Sequence, residues 1–207
     1  QLLLEAEAEA MRRGGTTVRL LTESVNDPSI HIAEQAHFQL VGTCLPYTAV
    51  PLVGGPKRRY SLDAPILAGP DDLSEIIAYL DASSIFPAVA GLAYSGLTAY
   101  EISDKFLREK LQAQQIYLLR RWERLDGLAI VEMRERAQEK YLFIGYIDGT
   151  TESISLIAYA LRQKAAELGL MNVRANLPDL IMVRDAFTGA EYEWVGQSFY
   201  IYERGLV

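Results

Sequence analysis

The residues best suited to chemistry are few. Among 207 residues there is one cysteine, Cys44, and two histidines, His31 and His37. No His, Lys or Asp lies near Cys44 in sequence to draw off its proton, so it reads as a buried, idle thiol. The two histidines are six residues apart, which is not a helical metal spacing. With a single cysteine they cannot form a structural zinc set, and no metal site is expected. Two acids, Asp148 and Glu152, flank the start of a long helix. They suit a bare helix N-terminus and oppose an anion there. Gly145 stands alone in an apolar run, where it permits close backbone approach or marks a twist point. These residue types single out no general acid or base, so the catalytic residues are left unassigned.

The elements that would position such residues follow from periodicity. Leu2–Met11 is a helix candidate of Leu, Glu and Ala, ended by Gly14-Gly15. TTVRLLT over 16–22 is a strand, and Asp27-Pro28 opens a helix to about Ala36 with Asp27 as its cap. Strands follow at about 38–43 and 48–53, the second held to a sheet edge by Pro46 and Pro51. Ser61–Leu67 reads as a strand, and Leu73, Ile76, Ile77 and Leu80 share one face of a helix. The stretch 82–97 reads as a mobile loop, and Thr98–Glu101 as a capping box for the next helix. Three strands are expected at 115–120, 127–134 and 141–147. Ile154, Ile157, Leu161, Ala165 and Leu168 keep the 3.6 period of a long helix. Asn172–Ala175 is a strand and Pro178–Phe187 a helix. Strands at 191–196 and 197–203 close the chain, their aromatics Tyr192, Trp194, Phe199, Tyr200 and Tyr202 serving mainly as core.

Composition bounds the function. Half the residues are apolar and 23% are charged, enough for a packed core. Twenty basic against 27 acidic residues give a net charge of −7, which disfavours a nucleic-acid partner. The runs RRWERL and REKLQ read as solvated charge. No run of 18 apolar residues is present, so no membrane partner is expected. The opening QLLLEAEAEAMRRGG puts acids where a signal peptide needs a basic and an apolar stretch. A single cysteine suits a reducing, cytoplasmic compartment.

The two ends of the chain repeat one another. Helix, Gly14-Gly15, Val18-Arg19, the Pro28 helix, Phe38 and Val41-Gly42 recur as helix, Gly169, Val173-Arg174, the Pro178 helix, Tyr192 and Val195-Gly196. The step is 155 residues at Val18 and 154 at Phe38 and Gly42. The repeat predicts residues 1–53 as the C-terminal half of a first domain, 54–59 as a linker and 60–207 as a complete, divergent second domain. Such a half cannot bury its apolar faces alone. It should pack on the second copy or on another chain, so a homodimer is an open expectation.

The stretch RRGGTTVRLLTESVNDPSIHIAEQAHFQLVGT resembles the C-terminal half of the GNAT superfamily of acyl-CoA-dependent N-acyltransferases. It carries the helix, the basic-Gly turn, the strand, the Asn before a helix, and an aromatic twelve residues after that Asn, here Asn26 and Phe38. Residues 60–207, with their closing QSFYIYERGL, look like a whole second copy. The resemblance implies an α+β fold, a central mixed, mostly antiparallel sheet flanked by helices, duplicated. It implies acetyl-CoA as cosubstrate and direct attack on the thioester by the amine of a small molecule or peptide. Two neighbouring strands should splay to admit the pantetheine arm, with Gly145 and Tyr146 where it would pair. A Gly-rich loop should hold the pyrophosphate. Asn26 either turns toward the cofactor or is a plain loop-to-helix residue. The 82–97 stretch falls where the family's acceptor-side loop lies, and serves as pocket or as packing.

The departures from the family pattern lie at the chemistry. The acid position five residues before the aromatic is Ala33 in the first copy and Phe187 in the second, and the Gly before the aromatic is His37. No Arg/Gln-x-x-Gly-x-Gly run precedes the helix after 141–147. In the first copy the pyrophosphate loop would precede Gln1. The expectation is therefore an acetyltransferase with its chemistry in the first copy if anywhere, and an inactive second copy. The alternative is a non-catalytic module for small-ligand binding or dimerisation.

Overall fold

The computed structural model describes residues 2–54, 64–95 and 98–206. In chain order the elements are α1 (Leu2–Arg12), β1 (Thr17–Glu23), α2 (Asp27–Gln35), β2 (Gln39–Ala49), β3 (Ile66–Leu67), α3 (Leu73–Asp81), α4 (Ile85–Ala88), β4 (Leu92–Ser95), β5 (Thr98–Glu101), α5 (Asp104–Gln112), β6 (Ile116–Arg121), β7 (Arg124–Arg136), β8 (Glu139–Gly149), α6 (Thr151–Glu167), β9 (Asn172–Pro178), α7 (Ile181–Gly189), β10 (Glu193–Trp194) and β11 (Phe199–Gly205), with a short 3-10 turn at Pro70–Asp72. This is a mixed α+β fold, with a mostly antiparallel sheet flanked by helices. Contacts divide the chain into two compact units, Gln1–Cys44 with Gln197–Val207, and Leu45–Gly196.

In the first unit β11 lies between β1 and the Gln39–Cys44 part of β2, antiparallel to both. Its core is Ala33, Phe38 and Tyr202, with Leu3, Val18, Leu20 and Ile30 packed against them. Two ion pairs tie the pieces together: Arg19 to Glu203 at 2.7 Å, and Arg204 to the buried Glu7 at 2.8 Å.

The second unit is larger. The strands β3, β6, β7 and β8 run antiparallel in that order, and β9 joins β8 in parallel. The Leu45–Ala49 part of β2 follows: β2 neighbours β9, with Thr48 Oγ1 donating to Val173 O at 3.4 Å, and β10 pairs with Tyr47 and Thr48. Leu73, Ile76 and Leu80 of α3, Leu107 and Leu111 of α5, and Ile154, Ile157 and Leu161 of α6 bury the apolar stripes their spacing announced. Arg162, also buried, donates to Val50 O at 2.9 Å, Ala190 O at 2.7 Å and the Glu191 carboxylate at 2.8 Å.

The sequence repeat has a structural counterpart. Shifted by 155, β1 (17–23) coincides with β9 (172–178). Shifted by 154, α2 (27–35) coincides with α7 (181–189), and the first residue of β2 falls on the first of β10. The helix ends match in hydrogen bonding too. Phe38 N reaches Ala33 O at 3.0 Å, and Tyr192 N reaches Phe187 O at 2.9 Å. Each is the closing bond of a Schellman motif, which needs one left-handed residue. His37 (φ 61°) and Glu191 (φ 60°) fill that place. Gly is the usual occupant, because a Cβ there costs about 1–2 kcal/mol. The same motif ends α1 and α6, through Gly15 N to Ala10 O at 2.8 Å and Leu170 N to Ala165 O at 2.9 Å.

Several elements differ from expectation. The strands expected at 38–43 and 48–53 are one, β2, which runs through Pro46 and has neighbours on both sides instead of lying at an edge. The proline survives because its carbonyl is the group used, accepting from Val195 N at 2.9 Å. Thr98–Glu101 is no capping box but a strand paired with β4, and Ser103 caps α5 by accepting from Phe106 N at 3.3 Å. The 82–97 stretch holds α4 and β4. Asn26, not Asp27, caps α2. Of the linker expected at 54–59, residues 55–59 lie outside the described residues, as do 61–63 of the strand expected at 61–67.

Candidate functional site

The strand order focuses attention on β8. Its pairing with β7 runs the full length, from Arg136↔Glu139 to Gly127↔Gly149, with one irregularity between Ile130 and Val131. Ile130 faces Tyr146 and Val131 faces Ile144, so Gly145 is the extra residue of a β-bulge. On the other side, pairing with β9 stops at Ile144↔Ala175. Beyond that register no ladder pair joins the two strands, and the ladder ends beside Gly145 and Tyr146.

The chain's own backbone lies against this point. A Cβ on Gly145 would stand 2.2 Å from the carbonyl oxygen of Tyr94, so only glycine fits under β4. The same segment is fixed by a buried polar cluster. Asp148 is 3% exposed. Its carboxylate accepts from Ser83 Oγ at 2.6 Å, from the Tyr146 hydroxyl and, at 3.5 Å, from Tyr79 OH. Ser83 Oγ in turn accepts from the amides of Ile85 at 2.9 Å and Phe86 at 3.1 Å, so the carboxylate reaches the start of α4 through one hydroxyl. Burial raises the Asp148 pKa above its ordinary 3.8, and the donated hydrogen bonds oppose that rise. Burial, then the neighbouring carboxylate, holds the Tyr146 and Tyr79 hydroxyls protonated.

A diphosphate at the start of α6 would need free amides and a backbone that a ligand can approach. Neither is there. Thr150 caps the helix by accepting from Ser153 N at 3.2 Å, and Ser153 Oγ is bonded to Asp126. A Cβ on Gly149 would meet Ser153 Cβ at 3.0 Å and Asp126 O at 3.1 Å, and one on Gly127 would meet Asp148 O at 2.8 Å. These glycines make room for the protein's own packing, not for a ligand. Glu152 pairs with Arg121 at 2.9 Å, which lowers its pKa and keeps it ionised. The residues at this helix start do not fit a diphosphate.

The residues singled out from sequence are thus spread apart. Gly145 and Tyr146 come together at the bulge, with Asp148 two residues on. Asn26 lies in the other unit, its side chain accepting from Ser29 N at 3.3 Å. Ala33 and Phe187 are buried, apolar and without a proton to give. Cys44 is fully buried, which pushes its thiol up to about 12. Sequence reasoning took Asp148 for a helix-start acid and missed Ser83 and Tyr79. A signal was present: Tyr146 and Asp148 share one face of a strand whose neighbours are all apolar, and a buried acid needs donors. Among the described residues no cluster of three metal-ligating side chains occurs, and no helix is long and apolar enough to cross a membrane.

No protein-family profile matches the chain, and no curated protein matches it in sequence. Solved structures do match. A functionally unknown conserved protein from Staphylococcus epidermidis aligns with a TM-score of 0.62 at 10% identity, over 100% of this chain and 81% of that one. Saccharomyces cerevisiae N-myristoyltransferase, solved with bound myristoyl-CoA and inhibitors, gives 0.60 at 7% identity, over 98% of this chain and 55% of its own. A GCN5-related N-acetyltransferase from Sphaerobacter thermophilus gives 0.58 at 9% identity, over 92% of this chain. This chain spans 60% of the Sphaerobacter protein. At such identities the likeness establishes the fold, a GNAT-like one, as the resemblance implies.

Proposed function

We propose that this chain serves in an acyl-CoA-dependent N-acyltransferase, transferring an acetyl group to the amine of a small molecule or peptide in a reducing, cytoplasmic setting. Within it, the repeat at 60–207 is a scaffold that has kept the fold and given up the diphosphate site. The observation that carries this reading is the start of α6, where Thr150, Gly149 and Glu152 are committed to the protein's own packing. The acyl-CoA site then belongs to the other unit, with Asn26 near it.

A second reading is favoured by the bulge. The β8–β9 ladder ends there, so a small ligand without a diphosphate could enter only by displacing β4 from Gly145; otherwise the fold would serve dimerisation alone. Calorimetric titration of acetyl-CoA into the 207-residue chain and its Glu152→Lys variant separates the cases. A micromolar site of equal affinity in both supports transfer with 60–207 as scaffold. A site that tightens several-fold in the variant lies at α6 and overturns the scaffold assignment. No site tighter than about millimolar, near −4 kcal/mol, in either protein leaves the non-catalytic reading.

A further inference from the structure

The pairing of the last strand poses a question that the repeat answers. Under the 154-residue step, Leu45–Ala49 of β2 corresponds to Phe199–Glu203 of β11. Each is the closing strand of its repeat, following α2 in the first copy and α7 in the second. Neither lies with the copy it closes. Phe199–Gly205 sits between β1 and Gln39–Cys44, the strands of the first copy. Leu45–Ala49 sits between β9 and β10, the strands of the second.

We infer that the chain is a tandem duplication whose two copies, 1–53 and 60–207, have exchanged their closing strands, so that neither copy completes its sheet without a segment of the other. The exchange explains why β2 is a single strand. In an unexchanged copy the chain would fold back near Thr43–Cys44 and hairpin onto itself. Here it runs straight on from Gln39 to Ala49, giving its first half to one unit and its second to the other. The corresponding crossing after β10 passes through Gly196 at φ 75° before β11 begins. The division into compact units, with Gln197–Val207 grouped with Gln1–Cys44, is the direct outcome.

The repeat also supplies the test, because it names the residue that the strand would face if it had stayed at home. Ile201 pairs with Leu21 in β1. The repeat-equivalent of Leu21 is Asn176 in β9. Antiparallel partners lie at Cα separations of about 4.5–5.5 Å, within the span of a disulfide. In a Cys44→Ala background, the pair Leu21→Cys with Ile201→Cys should close quantitatively with oxidised glutathione, read as the loss of two hydrogens by intact mass. Asn176→Cys with Ile201→Cys should stay reduced in the folded protein. The opposite outcome, closure at 176 and not at 21, would show that the copies keep their own strands. A second measurement does not depend on the cysteine variants folding. In the full chain carrying Ile201→Pro, amides of 17–23 should exchange on the order of 100-fold faster while those of 172–178 keep their protection. Faster exchange at 172–178 with 17–23 unchanged would overturn the exchange.

Discussion

Replacing Gly145 by alanine tests the contact on which the bulge reading rests. The added Cβ would stand 2.2 Å from Tyr94 O, against the 3.4–4 Å of ordinary contact. One of the two backbones must therefore move by about 1 Å. Neither has slack. Tyr94 is 3% exposed and paired with Ala99, and the residues flanking Gly145 are buried in a strand laddered to β7. Overpacking of this kind costs about 1–3 kcal/mol, and a clash between two backbones belongs at the upper end. With a urea slope near 2 kcal/mol/M the midpoint should fall by about 1–1.5 M. Gly169→Ala is the matched control: its φ is +65° but its surroundings are open, so it carries only the left-handed strain, about 1 kcal/mol or ~0.5 M. Amide exchange at 92–95 should accelerate in the first variant and not in the second. A Gly145→Ala midpoint no lower than that of the control, with 92–95 still protected, would mean that β4 does not lie on the bulge.

Two further outcomes follow from the buried charges. The folded-state pKa of Asp148 lies above its unfolded value, so its protonated form stabilises the fold. That contribution is complete below about pH 4 and fades as pH rises through the raised value. The groups facing it are Ser83, Tyr146 and Tyr79, with Asp126 beyond. The urea midpoint of the wild type relative to Asp148→Asn should therefore drop as pH rises above about 4, and a difference that is flat with pH would refute the raised pKa. Arg162→Ala strands the carbonyls of Val50 and Ala190 and should cost about 3 kcal/mol by chemical denaturation, whereas Glu191→Gln, on the 71%-exposed partner, should cost little.

What was legible in the sequence had a local cause. The Ile154–Leu168 stripe, the three apolar strands and the Gly14 and Gly169 stops each follow from residues within one element, and the structure has them within a few positions. The repeat was legible because its spacing is arithmetic. What was hidden depended on distant partners. The pairing of Thr98–Glu101 with Leu92–Ser95 outweighs the capping pattern, which Ser103 supplies five residues later. Pro46 reads as an edge signal because the sequence cannot show that its carbonyl, not an amide, is the group a partner needs. Asp148 looked like a helix-start charge because nothing local reveals that Ser83, 65 residues earlier, will meet it. The resemblance of the stretch around Asn26 and Phe38 implies the fold that is observed, while the side chain of Asn26 caps its own helix.

The place of β11 also sets a clock on biosynthesis. Phe199–Gly205 leaves the ribosome last among the pieces of the unit it completes. Roughly 160 residues separate it from Cys44, and at about 5–20 residues per second they take about 8–30 s to make. Throughout that interval β1 and the front of β2 have been synthesised but lack the strand that joins them, and two open edges with Val18, Leu20 and Phe38 beside them invite the wrong partner. The first-made part of this stretch is thus among the last to be finished, and a nascent chain stalled before Phe199 would have its larger unit ready to fold and its smaller one held open.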